Sequence, residues 1–150
     1  MSSPKSDPQQ HEVYRWERKY AQLFFSHAMP YKKAHGLAAA MANAYGIPKP
    51  RLSWRRARKE SYVAIAEGDE VIEVNTTKAD FTSILVAHEM AHVIAHAYGV
   101  LEPAHGPTWL GIYLWLLDRF LIIPKCASVP SAKAAGLKFK HPDKVAPGAL

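Results

Sequence analysis

Hydrophobic positions along the chain divide it into helical, β-rich and again helical stretches. From residue 9 to about 27, Val13, Trp16, Tyr20, Leu23 and Phe24 recur at helical spacing, with Arg15, Arg18 and Lys19 elsewhere around the helix. Large aromatics in such a stripe serve core packing far more often than ligand binding. Pro30 interrupts, and residues 32–45 predict a second helix ended by Gly46 and Pro48. After Pro48-Lys49-Pro50 the pattern turns β-rich. Residues 51–56 predict a strand, and residues 61–66 and 70–75, flanking Glu67-Gly68-Asp69, predict a hairpin. Ile84, Leu85, Val86, Ala87, Met90, Ala91, Val93, Ile94 and Ala95 then make a helix apolar nearly all round, which implies burial. Thr77-Lys78-Ala79-Asp80 gives it a capping-box-like start and Gly99 a stop. Residues 107–123 predict a last long helix, stopped by Pro124, whose Trp109, Ile112, Tyr113, Leu116, Phe120 and Ile123 are spaced to pack on the buried one.

The buried helix carries polar groups that burial alone would penalise: His88, Glu89 and His92. They read H-E-x-x-H. Two histidines four residues apart share one helix face and can bind one Zn²⁺. Glu89, one position on, can reach a metal-bound water without being a ligand and take its proton for attack on a carbonyl. The motif is short enough to arise by chance, so its context decides its weight.

A catalytic zinc takes three protein ligands and keeps one open position. His105 is the favoured third ligand, because the chain leaves the metal helix at Gly99, turns, and presents it just before Gly106-Pro107, with Pro107 suited to a first helical turn. His96 and Glu102 are rivals. His96 lies one turn beyond His92 and suits a supporting or C-terminal capping role. The metzincin pattern needs Gly and His seven and ten residues after the first histidine; Ala95 and Tyr98 stand there, which excludes that class.

His88-Glu89-Met90-Ala91-His92, a gap of twelve residues, and His105-Gly106-Pro107-Thr108-Trp109 resemble the signature of the SprT-like (Spartan-type) metallopeptidases. The likeness is strongest over about residues 60–120 and weaker upstream, through the helical pair and Arg51-Leu52-Ser53-Trp54. It implies an α+β zincin-like fold: N-terminal helices, a small antiparallel sheet, the HExxH helix and a C-terminal helix. It also implies one Zn²⁺ per chain on His88, His92 and His105, Glu89 as general base, and hydrolysis of proteins, in the family often proteins bound or crosslinked to DNA. In that fold the sheet lies above the metal helix, and its edge, assigned here to residues 70–75, can hold an extended substrate by β-addition. Trp109, one turn after His105, is suited to fix that ligand by packing. Tyr113 and Tyr98 are candidate donors to the oxyanion, and the sequence does not choose between them. Asp118 is a candidate partner of a ligand imidazole, with a solvated helix-end carboxylate the preferred reading.

Composition narrows the setting. At 150 residues, with 49% hydrophobic and 21% charged positions, the chain suits one globular domain: a lead-in over residues 1–8, the SprT-like domain over 9–124, and a basic extended tail over 125–150. The single cysteine, Cys126, excludes an internal disulfide and the cysteine-rich zinc ribbon that some SprT-like proteins carry. No apolar signal core opens the sequence. The most apolar segment, residues 110–123, is broken by Asp118-Arg119, so the expected setting is cytoplasmic or nucleoid-associated, without a membrane. SprT-like proteins are also encoded by bacteriophages, for which a virion or host cytoplasm is the corresponding setting. The net charge of +6 gathers in two clusters, Arg51, Arg55, Arg56, Arg58 and Lys59, and the tail lysines that include Lys138 and Lys140. These are candidate contacts to DNA or nucleoprotein. The alternative to an enzyme is a DNA-binding, particle or assembly component whose zinc site is structural; the intact Glu89 argues against it, because a closed structural site has no use for a base.

Overall fold

The computed structural model describes residues 6–19, 28–56, 63–65, 71–76 and 81–150. Five α-helices run through them: α1 (Gln10–Lys19), α2 (Tyr31–Ala44), α3 (Ser83–Ala97), α4 (Pro107–Arg119) and α5 (Lys125–Ala134). The strands are short: β1 (Ala28–Met29), β2 (Arg51–Arg56), β3 (Val63–Ile65), β4 (Val71–Thr76) and β5 (Phe81–Thr82).

The expected α+β, zincin-like architecture built on a small antiparallel sheet is overturned. Among the residues whose burial is described, the core is helical: its buried apolar side chains come from α1 to α4, Tyr45 and Ile123, with Ala132, Leu137 and Val145 from the C-terminal region. The three-stranded arrangement is ordered β2-β4-β3 and mixed in direction. Here β4 pairs in parallel with β2 (Arg51 opposite Val71) and antiparallel with β3 (Val63 opposite Val74). Among the described residues only the two-residue pair β1-β5 is purely antiparallel. The assignment of residues 70–75 to an edge fails for the same reason. With β2 on one side and β3 on the other, β4 is the central strand among the described residues, not an edge.

The helices form largely where apolar spacing places them. Val13 and Trp16 of α1 are buried, one turn apart; Tyr20, Leu23 and Phe24 lie outside the described residues. The expected cap at residues 77–80 also lies outside them, and Thr82 instead starts α3 by accepting a hydrogen bond from the Leu85 amide at 3.1 Å. Almost every side chain from Val86 to Ala95 is buried, with α2 and α4 both packed against α3. α4 stops at Arg119, short of Ile123, and Leu121 takes a left-handed backbone (φ 57°).

The C-terminal region departs most from expectation. Instead of an extended tail, residues 125–134 form α5, and a 3₁₀ turn follows at Pro142–Lys144. Trp16 Nε1 donates to Ser131 Oγ at 2.7 Å, Tyr45 donates to the Val145 carbonyl at 2.8 Å, and the Lys140 amide donates to the Pro107 carbonyl at 3.0 Å. The apolar Ala132, Leu137 and Val145 have a helical surface to cover, and that burial outweighs the Pro- and Gly-rich composition.

Gly111 lets this segment approach α4. A Cβ there would stand 2.6 Å from the Lys140 carbonyl oxygen and 2.8 Å from Val145 Cγ2. Alanine favours helix by about 1 kcal/mol over glycine, but backbone at that distance has to move. Gly111→Ala is expected to destabilise by about 1–3 kcal/mol, read as a lower midpoint in urea unfolding. A raised midpoint would show that the segment yields freely.

Candidate metal centre

His88 and His92 lie one turn apart on α3, and His105 precedes α4. One nitrogen from each lies within 4.8 Å of the others, close enough for the three to bind a metal ion; His88 and His105 are buried and His92 is partly so. The His88 and His105 Nε2 atoms stand 3.4 Å apart. Trp109 backs the group. Its ring stacks on His92 at 4.9 Å and meets His88 and His105 edge-on at 4.9 and 4.6 Å, as the packing role foresaw. Its buried Nε1 has no hydrogen-bond partner among the described residues.

The loop before α4 is built to aim His105. Glu102, the rival ligand, turns away from the cluster and accepts from the Thr108 amide at 2.8 Å and the Thr108 hydroxyl at 2.5 Å, which caps α4. Gly106 makes room for this. A Cβ there would meet the Pro103 carbonyl oxygen at 2.9 Å and Glu102 Oε1 at 3.0 Å. The His-Gly-Pro sequence is thus a ligand, a close backbone approach and a helix start in succession.

Two carboxylates that the sequence reading did not single out complete the surroundings. Glu17 of α1 accepts from His88 Nδ1 at 2.8 Å and from the Tyr113 hydroxyl at 2.7 Å, both on Oε2. Asp7, in the stretch read as a lead-in, accepts from His105 Nδ1 at 2.6 Å and from the His105 amide at 3.3 Å. Gln9 clamps the same place: its side chain donates to the carbonyls of His105 and Lys138 at 2.7 and 2.9 Å, and accepts from the Lys138 amide at 3.0 Å. Tyr14 lies over the cluster, 6.0 Å from the His88 ring and 5.2 Å from that of His105, with 36% of its surface exposed.

The remaining candidates separate clearly. Tyr113 is fully buried, and its proton is committed to Glu17; burial and that carboxylate hold the phenol well above its usual range. Tyr98 is 40% exposed and donates to the Tyr45 carbonyl at 2.6 Å, so neither of the two tyrosines proposed as oxyanion donors directs its hydroxyl at the cluster. His96 is exposed near the end of α3 and outside the cluster. Asp118 accepts from the Lys125 amide at 2.8 Å and starts α5. Among the basic residues, Arg55 and Arg56 lie on β2, Lys138 and Lys140 are exposed, and Arg58 and Lys59 fall outside the described residues.

Charge is unevenly spread over the imidazoles. Burial disfavours a proton on His88, but Glu17, in contact with it, more than offsets this and raises it to about 9. His92 is pushed well below the usual range by burial and by its two histidine neighbours. His105 is lowered by burial, which its bond to Asp7 only partly opposes. Glu89, in the next position along α3, is raised by burial to about 7, the His88 cation opposing and Glu17 adding to the shift. A metal takes only the neutral imidazole, so below about pH 9 uptake must displace the His88 proton. Metal affinity is therefore expected to rise about tenfold per pH unit from neutrality toward that value. Titrations at several pH values check this, and an affinity independent of pH would contradict it.

Comparison with family models finds no matching family, and comparisons with curated proteins and with solved structures find no match either. Among the described residues no helix is long and apolar enough to cross a membrane.

Proposed function

We propose that the chain is a zinc-dependent endopeptidase of the SprT-like kind, acting on proteins, including proteins on DNA. The observation that carries this reading is the convergence of His88, His92 and His105 within 4.8 Å, beside the buried carboxyl of Glu89. The donor set fits zinc. Two nitrogens at about 2.0–2.1 Å from one tetrahedral zinc stand about 3.3–3.4 Å apart, which agrees with the 3.4 Å between the His88 and His105 Nε2 atoms. Three imidazoles leave one position open, the arrangement of catalytic sites.

A bound zinc supplies Lewis acidity, to the scissile carbonyl and to an attacking water. The protein supplies the rest. Glu89 accepts a proton from the water and passes it to the departing amine. Trp109 and its surroundings keep bulk water from the back of the site, where three imidazole rings pack against the indole. The net charge of +6 supports an acidic partner such as a phosphate backbone near the substrate.

The test is cleavage of an unstructured basic protein by the zinc-loaded chain and by the same chain stripped with a chelator, with and without single-stranded DNA. Cleavage that needs zinc supports the peptidase, and stimulation by DNA supports the nucleoprotein substrate. A chain that binds one zinc and cuts neither free nor DNA-bound protein is not a peptidase.

A further inference from the structure

Two of the three converging imidazoles are held from behind by a single stretch of chain. Glu17 takes the Nδ1 proton of His88, and Asp7 takes that of His105. We propose that Glu17 and Asp7 are positioning residues for the metal centre, each locking one imidazole with Nδ1 protonated and Nε2 turned to the metal, so that residues 7–17 set metal affinity together with the HExxH helix. This rests on the reading of His88, His92 and His105 as metal ligands.

The geometry leaves little freedom. An ionised carboxylate only accepts, so each Nδ1 in contact with one carries the proton. In the neutral rings each Nε2 is then the lone-pair nitrogen, and these two Nε2 atoms face each other at 3.4 Å. Both carboxylates are themselves held. The Tyr113 hydroxyl shares the Glu17 oxygen that His88 uses, and Val13 and Trp16 bury the α1 face beside it. Asp7 also takes the His105 amide, so it fixes backbone and ring together, and Gln9 ties that backbone to Lys138. Both carboxylate side chains are mostly buried, 16% exposed at Glu17 and 15% at Asp7, which keeps water from competing for the imidazole protons. Among the described residues His92 has no such carboxylate and is held by stacking on Trp109. The centre therefore has two ligands set by hydrogen bonds and one set by packing. Carboxylates behind metal-binding histidines fix the ring and raise its basicity, and their loss costs about 10–100-fold in metal affinity.

The experiment is a zinc titration against a competing chelator at one fixed pH, on the wild type, Glu17→Gln and Asp7→Asn. Nitrogen-15 spectra of the histidine rings are recorded on the zinc-loaded samples. Each substitution is expected to weaken zinc binding by about 10–100-fold. Glu17→Gln should shift the ring signals of His88 and spare those of His105, and Asp7→Asn should do the reverse. A merely structural contribution would disturb both rings together. Asp7 precedes α1 and lies outside every helix, so Asp7→Asn keeps the proposal testable should Glu17→Gln fail to fold. Variants that bind zinc like the wild type with unchanged ring signals overturn the proposal, and a wild type that takes up no zinc overturns it together with the metal reading. Since zinc binding is what is measured, failure of the wild type to cleave protein counts against the peptidase reading alone.

Discussion

Glu89→Gln is expected to lower peptide cleavage by about 10²–10⁴-fold, the usual worth of a positioned general base, while leaving one zinc bound per chain. Glutamine keeps the shape of the side chain in a site where only 7% of the residue is exposed, so the helix and its histidines stay in place. What disappears is the only group on the H-E-x-x-H turn that can accept a proton without giving up a ligand position. The pH profile sharpens the prediction. Burial first, and the Glu17 charge further, favour protonated Glu89, the His88 cation opposes them, and the balance lies at about 7. The base is the carboxylate form. A zinc ion held by the neighbouring histidines would favour the carboxylate further, so the acid limb of the rate at saturating zinc should lie below that value. The residual activity of Glu89→Gln should lack this limb. A variant that cuts like the wild type would remove Glu89 from the chemistry.

Trp109→Ala should have the largest effect on stability, about 3–5 kcal/mol. The indole is 1% exposed and touches the rings of His88, His92, His105 and Tyr113, so its removal opens a cavity at the junction of α3 and α4. Domains of this size are stable by about 5–15 kcal/mol, so the variant sits near the edge of folding. Zinc uptake should fall as well, because His92 loses the surface on which it stacks. Trp109→Phe is the informative comparison. It keeps a flat apolar face and deletes a buried N–H that has no partner among the described residues, so it should cost markedly less than alanine. Denaturant midpoints of both variants, with and without zinc, measure this. An alanine variant within about 1 kcal/mol of the wild type would mean that the indole does not support the site.

The triad of converging histidines was legible because its signal is local. His88 and His92 are fixed by helical spacing, and His105 by a short loop between a helix stop and Pro107. Glu17 was legible in principle. It falls four residues after Val13 and one after Trp16, an acidic residue on the apolar face of α1, where an unpaired charge would be costly. Nothing marks Asp7, which stands in a Ser-, Pro- and Lys-rich stretch and draws its role from a loop 98 residues away. The sheet fails on the same ground. Alternation locates strands, but the parallel partnership of β2 with β4 is a long-range choice that no local pattern encodes. Composition misled at residues 125–150, where a few apolar positions found a helical surface and outweighed many flexible ones.

The clamp formed by Gln9 has a kinetic consequence. It joins His105 to a residue 96 positions away and Lys138 to one 129 positions away, and the Glu17 contacts with His88 and Tyr113 span 71 and 96. Such closures come late in folding, because the entropy of a long loop must be given up before its contacts form. A growing chain can offer the His88–His92 pair as soon as α3 exists. The third imidazole follows only with His105, so any metal taken up before then is held by two imidazoles and is open to exchange.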